Sequence, residues 1–149
     1  MMERMAPSAW DAPTGSIDST CGLLRYLQWS SWDLEKPTIL FIGLHPFTDG
    51  DLAAVAIEHY ESFCVKAGAG SLCLMNLFPF KCRSREALKE WGFPYQADEC
   101  NETAIRNSVA ALRGSPHTVL RTWGDVTGRE LAVTKQILRV EEILRELGR

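Results

Sequence analysis

The stretch Thr38-Ile39-Leu40-Phe41-Ile42-Gly43-Leu44 constrains this chain more than any other. An unbroken run of β-branched and apolar residues offers no face to water, so it reads as a strand covered on both sides. Ser71-Leu72-Cys73-Leu74-Met75-Asn76 repeats the pattern and ends on a polar residue. Between the two lie a loop, His45 to Asp51, and a helical stretch in which Leu52, Val55, Ala56, His59 and Phe63 share one stripe, ending near Gly68. Strand, loop, helix, strand is the unit that makes a parallel sheet through a right-handed crossover.

The rest of the chain extends this unit. Leu23 to Trp29 alternates in part and suits a short edge strand. Asp98 can cap a helix whose apolar residues Ile105, Val109 and Leu112 face one way up to Gly114, and His117 to Gly124 supplies a third strand. A last helix from about Thr127 carries Val133, Ile137, Val140, Leu144 and Leu147 as one seam, widened by Leu131, Leu138 and Ile143. Residues 1–20 mix Pro, Gly, Ser and Thr at no period and read as a loose arm. The expected organisation is that arm followed by a single domain over residues 21–149. Its expected architecture is three-layer α/β/α around a short, mostly parallel sheet.

Several function classes drop out on composition. With 149 residues, 46% of them hydrophobic, the chain can bury a core without metal or disulfides. A net charge of -3 gives no global steering toward phosphate, so nucleic-acid contact would need a local basic patch. No apolar run approaches the roughly 18 residues of a membrane span, and Met1 to Thr20 lacks a signal-peptide pattern, so a cytoplasmic location without membrane partners is expected. The five cysteines, Cys21, Cys64, Cys73, Cys82 and Cys100, include no Cys-x-x-Cys pair. Reduced thiols and no bound metal follow. A phosphate-binding Gly-rich loop, a dinucleotide fingerprint and a Gly-x-Ser-x-Gly elbow are all lacking, so no cofactor is expected.

In a parallel sheet the ligand crevice lies beyond the carboxyl ends of the strands. Three loops should therefore converge there: His45 to Asp51, Asn76 to Arg85, and Trp123 to Thr127. His45 suits a general base, or else a ring held in a tight His-Pro turn. Asp49 can orient water, or cap the following helix together with Asp51. The Asn76 amide suits the edge of a base, or alternatively ties the neighbouring loops together. Phe47, Phe78 and Phe80 offer rings for stacking or for the core. Lys81, Arg83 and Arg85, with Lys89 beyond, form the densest basic run, fit for phosphate or for a solvated face. Trp123 and Gly124 close the third strand, while His59 reads as a core residue on its helix stripe.

Leu24-Arg25-Tyr26 ahead of Trp-Asp, the strand ILFIGLHPFT with an acidic residue after it, LMNLFPF and RTWG together resemble the bacterial and phage family called domain of unknown function 1643. That family is in turn distantly similar to the uracil-DNA glycosylases. The resemblance aligns Gly43-Leu44-His45-Pro46 with a glycosylase strand end that carries the water-activating residue, and Asn76 with a base-reading Asn. His45 stands where the relatives carry Asn or Asp, and the late His-Pro motif of longer members has no counterpart here. The resemblance implies a nucleobase, nucleotide or single-stranded nucleic acid as partner, with hydrolysis of an N-glycosidic bond by His45 and Asp49. Asn76, Phe47, Phe78, Lys81, Arg83 and Trp123 would bind the substrate. A binding or interaction module that keeps the fold without the chemistry is the alternative. The final helix leaves two further readings open: a homodimer or protein contact through Leu138 to Leu147, or packing on its own sheet.

Overall fold

The computed structural model describes residues 14–46, 50–82, 84–90, 99–112, 118–124 and 131–149, with backbone alone at 50–53, 85, 89 and 90. The chain runs β1 (Thr14–Asp18), β2 (Arg25–Ser31), β3 (Thr38–Gly43), α1 (Gly50–Lys66), β4 (Ser71–Asn76), α2 (Arg85–Glu90), α3 (Glu99–Ala110), β5 (Val119–Arg121) and α4 (Leu131–Glu146). The strands form one sheet in the order β1-β2-β4-β3-β5. The unit expected from the two apolar runs is present: β3 and β4 are parallel neighbours, Thr38 beside Ser71 through Gly43 beside Asn76, joined by α1.

The sheet is mixed rather than mostly parallel. β1 pairs antiparallel with β2 and β2 antiparallel with β4, whereas β3 is parallel to both β4 and β5. The chain between β1 and β2 is too short for a crossover, so those strands can only run back on each other. Residues 14–18, expected in the loose arm, form the edge strand β1, and β2 consequently lies inside the sheet rather than at its edge. The five-stranded mixed sheet with four helices among the described residues is an α/β fold.

Alternation along β3 and β4 divides the apolar side chains between two clusters. Ile39, Phe41 and Leu72 pack with Cys64 and Tyr60 of α1. Leu40, Ile42, Cys73 and Met75 pack with Ile105 and Val109 of α3 and with Val133, Val140 and Leu144 of α4. On α1 the inward stripe is Ile57, Tyr60 and Cys64; of the expected stripe Ala56 is half-buried, Val55, His59 and Phe63 are exposed although the Phe63 ring meets Phe41 edge-on with centroids 6.1 Å apart, and the Leu52 side chain lies outside the described residues. Val55, His59 and Phe63 are spaced by four and four, Ile57, Tyr60 and Cys64 by three and four; either keeps a set on one helix face, so helical periodicity alone does not choose between them. Gly68, with φ 81°, ends α1 in the left-handed conformation that a side chain resists.

The α4 seam is used within the chain. Val133, Val140, Ile143 and Leu144 have no exposed surface, each worth about 1.5–3 kcal/mol of apolar burial. Leu131 and Leu138 stay outside. This is the packing alternative, with α4 covering its own core. No helix among the described residues is long and apolar enough to cross a membrane.

Candidate functional site

A cavity of about 440 Å³ opens at the carboxyl ends of β3 and β4. His45, Asn76 and Trp123, far apart in sequence, all line it, each on the loop or residue that ends a strand. Its size lies within the range of small-ligand sites. Leu44 and Pro46 from the β3 loop, Thr122 beyond β5, Ile57 and Tyr60 from α1, and Arg25 and Gln28 from β2 complete much of the wall.

The loop after β4 is held as a rigid frame. Leu77 N donates to Gly43 O at 2.9 Å, Phe78 N to Leu44 O at 3.0 Å and Cys82 N to Pro46 O at 3.0 Å, fastening it to the loop after β3. Asn101 of α3, 1% exposed, donates its Nδ2 to Asn76 O at 3.0 Å and Leu77 O at 3.4 Å. Gln136 of α4 also donates to Leu77 O, at 3.0 Å. Sequence reasoning passed over Asn101, although a polar residue four places before Ile105 on an apolar stripe is a readable signal.

Backbone groups and Asn101, rather than the Asn76 side chain, join the loops. The Asn76 amide makes no hydrogen bond among the described residues, and it lies over Gly43, its partner on β3. A methyl at position 43 would stand 2.8 Å from Asn76 Oδ1, so the glycine makes room for this amide. Beside it, Thr122 Oγ1 is buried without a hydrogen-bond partner among the described residues.

His45 is 8% exposed, with Nδ1 3.1 Å from Pro46 O. A proton on Nδ1 would point it at that carbonyl and leave the lone pair on Nε2. Phe41 and Tyr60 contact each other on the wall, ring centroids 4.6 Å apart and planes tilted by 50°. Tyr60 was not anticipated, because it sits off the stripe expected for α1.

The expected binding residues divide. Trp123 and Asn76 line the cavity. Phe78 is 2% exposed in the main core and does not line it, since its ring anchors the loop instead. Lys81 also stays off the wall and ion-pairs with Asp18, Nζ to Oδ2 at 2.9 Å. Phe47, Asp49 and Arg83 lie outside the described residues.

Arg25 reaches the same carboxylate, Nε to Asp18 Oδ1 at 2.9 Å and Nη2 to Oδ2 at 3.4 Å. Burial pushes the Asp18 carboxyl up, but the hydrogen bonds from Arg25 and Lys81 outweigh it and hold the group below its usual range. Burial pushes the thiols of Cys64, to about 11, and of Cys73 and Cys82 upward; none of the five cysteines is in a disulfide. No group of three metal-ligating side chains occurs among the described residues.

Fold and cavity thus define a mixed α/β domain with a cavity at the strand ends. The family described as "Protein of unknown function (DUF1643)" matches residues 25–149, and the chain belongs to it. No curated protein matches the chain, and no solved structure does.

Proposed function

We propose that the strand-end cavity holds the base of a nucleotide, free or within a single strand, and that the protein hydrolyses its N-glycosidic bond. The observation that carries this reading is the Asn76 amide, which lines an open cavity with no hydrogen bond among the described residues. One acceptor and two donors on a short side chain suit the edge of a base. Phe41, Tyr60 and Trp123 offer flat apolar surfaces on the wall, and stacking on such rings is worth about 1–3 kcal/mol per base.

His45 would activate the water. Its Nε2 takes a proton as the water oxygen bonds to the anomeric carbon, and the C–N bond breaks with its electron pair passing to the departing base. Asp49 would orient that water. In this reading the fold is a three-layer relative of the uracil-DNA glycosylases that works in the cytoplasm. A second reading, binding without chemistry, is favoured by one contact: the buried His45 ring held against Pro46 O, as in a turn-forming histidine.

Base release separates the two. The protein is incubated with nucleotides and with short single strands containing each base, and free base is measured by chromatography. The expected result is release by the unaltered protein, falling about 10²–10⁴-fold in His45→Ala, with binding kept. Binding without release assigns the second reading, and neither binding nor release refutes both.

A further inference from the structure

Among the described residues, the cations around Asp18 outnumber the carboxylates. Asp18 Oδ1 accepts from Arg25 Nε at 2.9 Å, while Oδ2 accepts from Lys81 Nζ at 2.9 Å and Arg25 Nη2 at 3.4 Å. Among the described residues two cations share one carboxylate, which leaves one positive charge over among partly buried side chains, where screening by solvent is reduced. Arg25 engages Nε and Nη2, and its Nη1 has no partner among the described residues. Of the two cations, Arg25 is the one that lines the cavity.

A break in the strand aims it there. β1 and β2 pair Ile17 with Leu27 and then Asp18 with Arg25, so Tyr26 is an extra residue, bulged out of the register. Tyr26 and Leu27 are both buried in the main core, and the lost alternation leaves Arg25 on the cavity wall.

The sheet then fixes the order of groups across the mouth. β2 runs antiparallel to β4 with Gln28 beside Leu74, which brings the start of β2 alongside the end of β4. Reading across β2, β4, β3 and β5, the mouth presents Arg25, Asn76, Gly43 and Thr122 in turn, on strands about 4.8 Å apart. The base-reading amide therefore has the cation one strand to one side and the buried Thr122 hydroxyl two strands to the other. The Gln28 amide, also without a hydrogen bond among the described residues, lines the same wall.

We propose that the cavity takes its ligand as a phosphate ester, with Arg25 holding the phosphate while Asn76 reads the base; this rests on the base-binding reading. Asp18 and Lys81 are positioning residues: the carboxylate fixes the guanidinium plane, and the ammonium restores the positive charge that the carboxylate cancels. A phosphomonoester of a free nucleotide and a phosphodiester within a strand carry the same recognised group.

Calorimetric titrations test it with the four common ribonucleosides, their 5′-monophosphates, thymidine oligonucleotides of five residues, ribose, and ribose 5-phosphate. At least one monophosphate should bind about tenfold or more tightly than its nucleoside, and Arg25→Gln should abolish that advantage, bringing the two to equal affinity. The double variant Asp18→Asn with Arg25→Gln removes the ion pair as a unit and serves if Arg25→Gln alone is too unstable to titrate. Preference for the oligonucleotide over the monophosphate assigns the diester source, and the reverse assigns the free nucleotide. Equal affinity of nucleosides and monophosphates, or an advantage that survives the loss of Arg25, overturns the proposal. If no base-containing probe binds, the base reading fails; Arg25-dependent binding of ribose 5-phosphate over ribose then upholds the phosphate site alone, and its absence overturns that too.

Discussion

Replacing Asn101 by Ala removes the amide that fastens the end of β4. Nδ2 donates to Asn76 O at 3.0 Å and to Leu77 O at 3.4 Å, and Asn101 is 1% exposed, so water cannot take its place without the helix moving. Leu77 O keeps its bond from Gln136 Nε2 at 3.0 Å, and the carbonyl left without that donor is Asn76 O. An orphaned buried acceptor costs about 1–3 kcal/mol. A loss of about 2 kcal/mol corresponds to a Tm lowered by roughly 4–8 °C in a domain of this size. Urea denaturation measures the loss, with an unchanged slope showing that the two end states are unaltered. Gln136→Ala leaves Leu77 O the weaker Asn101 bond, so the double variant should exceed the sum of the singles by about 1 kcal/mol, because only then do both carbonyls lose their side-chain donors. A single Asn101→Ala cost within about 0.5 kcal/mol of zero, or strict additivity, would refute the frame described for this loop.

Gly43→Ala places a methyl 2.8 Å from Asn76 Oδ1; the amide must swing away, so ligand affinity should drop about tenfold by calorimetry while the melting temperature moves by less than that of Asn101→Ala. Asp18, whose folded pKa is depressed, contributes stability that is full above its unfolded value near pH 4 and is lost as pH falls through the folded value; Asp18→Asn should flatten the acid limb of a stability-against-pH curve in that window and leave its slope near neutrality unchanged. At pH 8 the exposed Cys21 thiol, its pKa lowered by the hydrogen bond it shares with Ser19, should be alkylated first, whereas the buried Cys64 and Cys73 should react only on unfolding, as peptide mass spectrometry will show.

What could be read in the chain before folding follows from where its residues are buried. β3 and β4 are legible because strands covered on both faces must be apolar throughout. The position of the cavity followed from them, since strand ends in a parallel pair gather the loops. β1 escaped because Thr14-Gly15-Ser16-Ile17-Asp18 has little strand character of its own; its pairing with β2 and the packing of Ile17 on the core impose the conformation. That edge also makes the sheet mixed. The expected α1 stripe differs from the buried one because Val55, His59 and Phe63, at steps of four, and Ile57, Tyr60 and Cys64, at steps of three and four, are each compatible with one helix face, and only the strand beneath decides which set is buried. Phe78 was placed in the site because a ring beside a strand end fits stacking and core equally, and its backbone bond to Leu44 turns it inward. Lys81 was read as a phosphate contact because its partner Asp18 lies 63 positions away, beyond any local pattern.

The central claim is that the Asn76 amide, without a hydrogen bond among the described residues, recognises a ligand at the strand ends. Calorimetric titration of the unaltered protein and of Asn76→Ala, side by side against the nucleotide panel, tests it most directly. The account predicts a binding isotherm for the unaltered protein and a roughly tenfold or greater loss in Asn76→Ala, with both proteins melting within a few degrees of each other because the side chain makes no internal bond among the described residues. Asn76→Ala binding its ligand as tightly as the unaltered protein, or losing binding only because it unfolds, would contradict it.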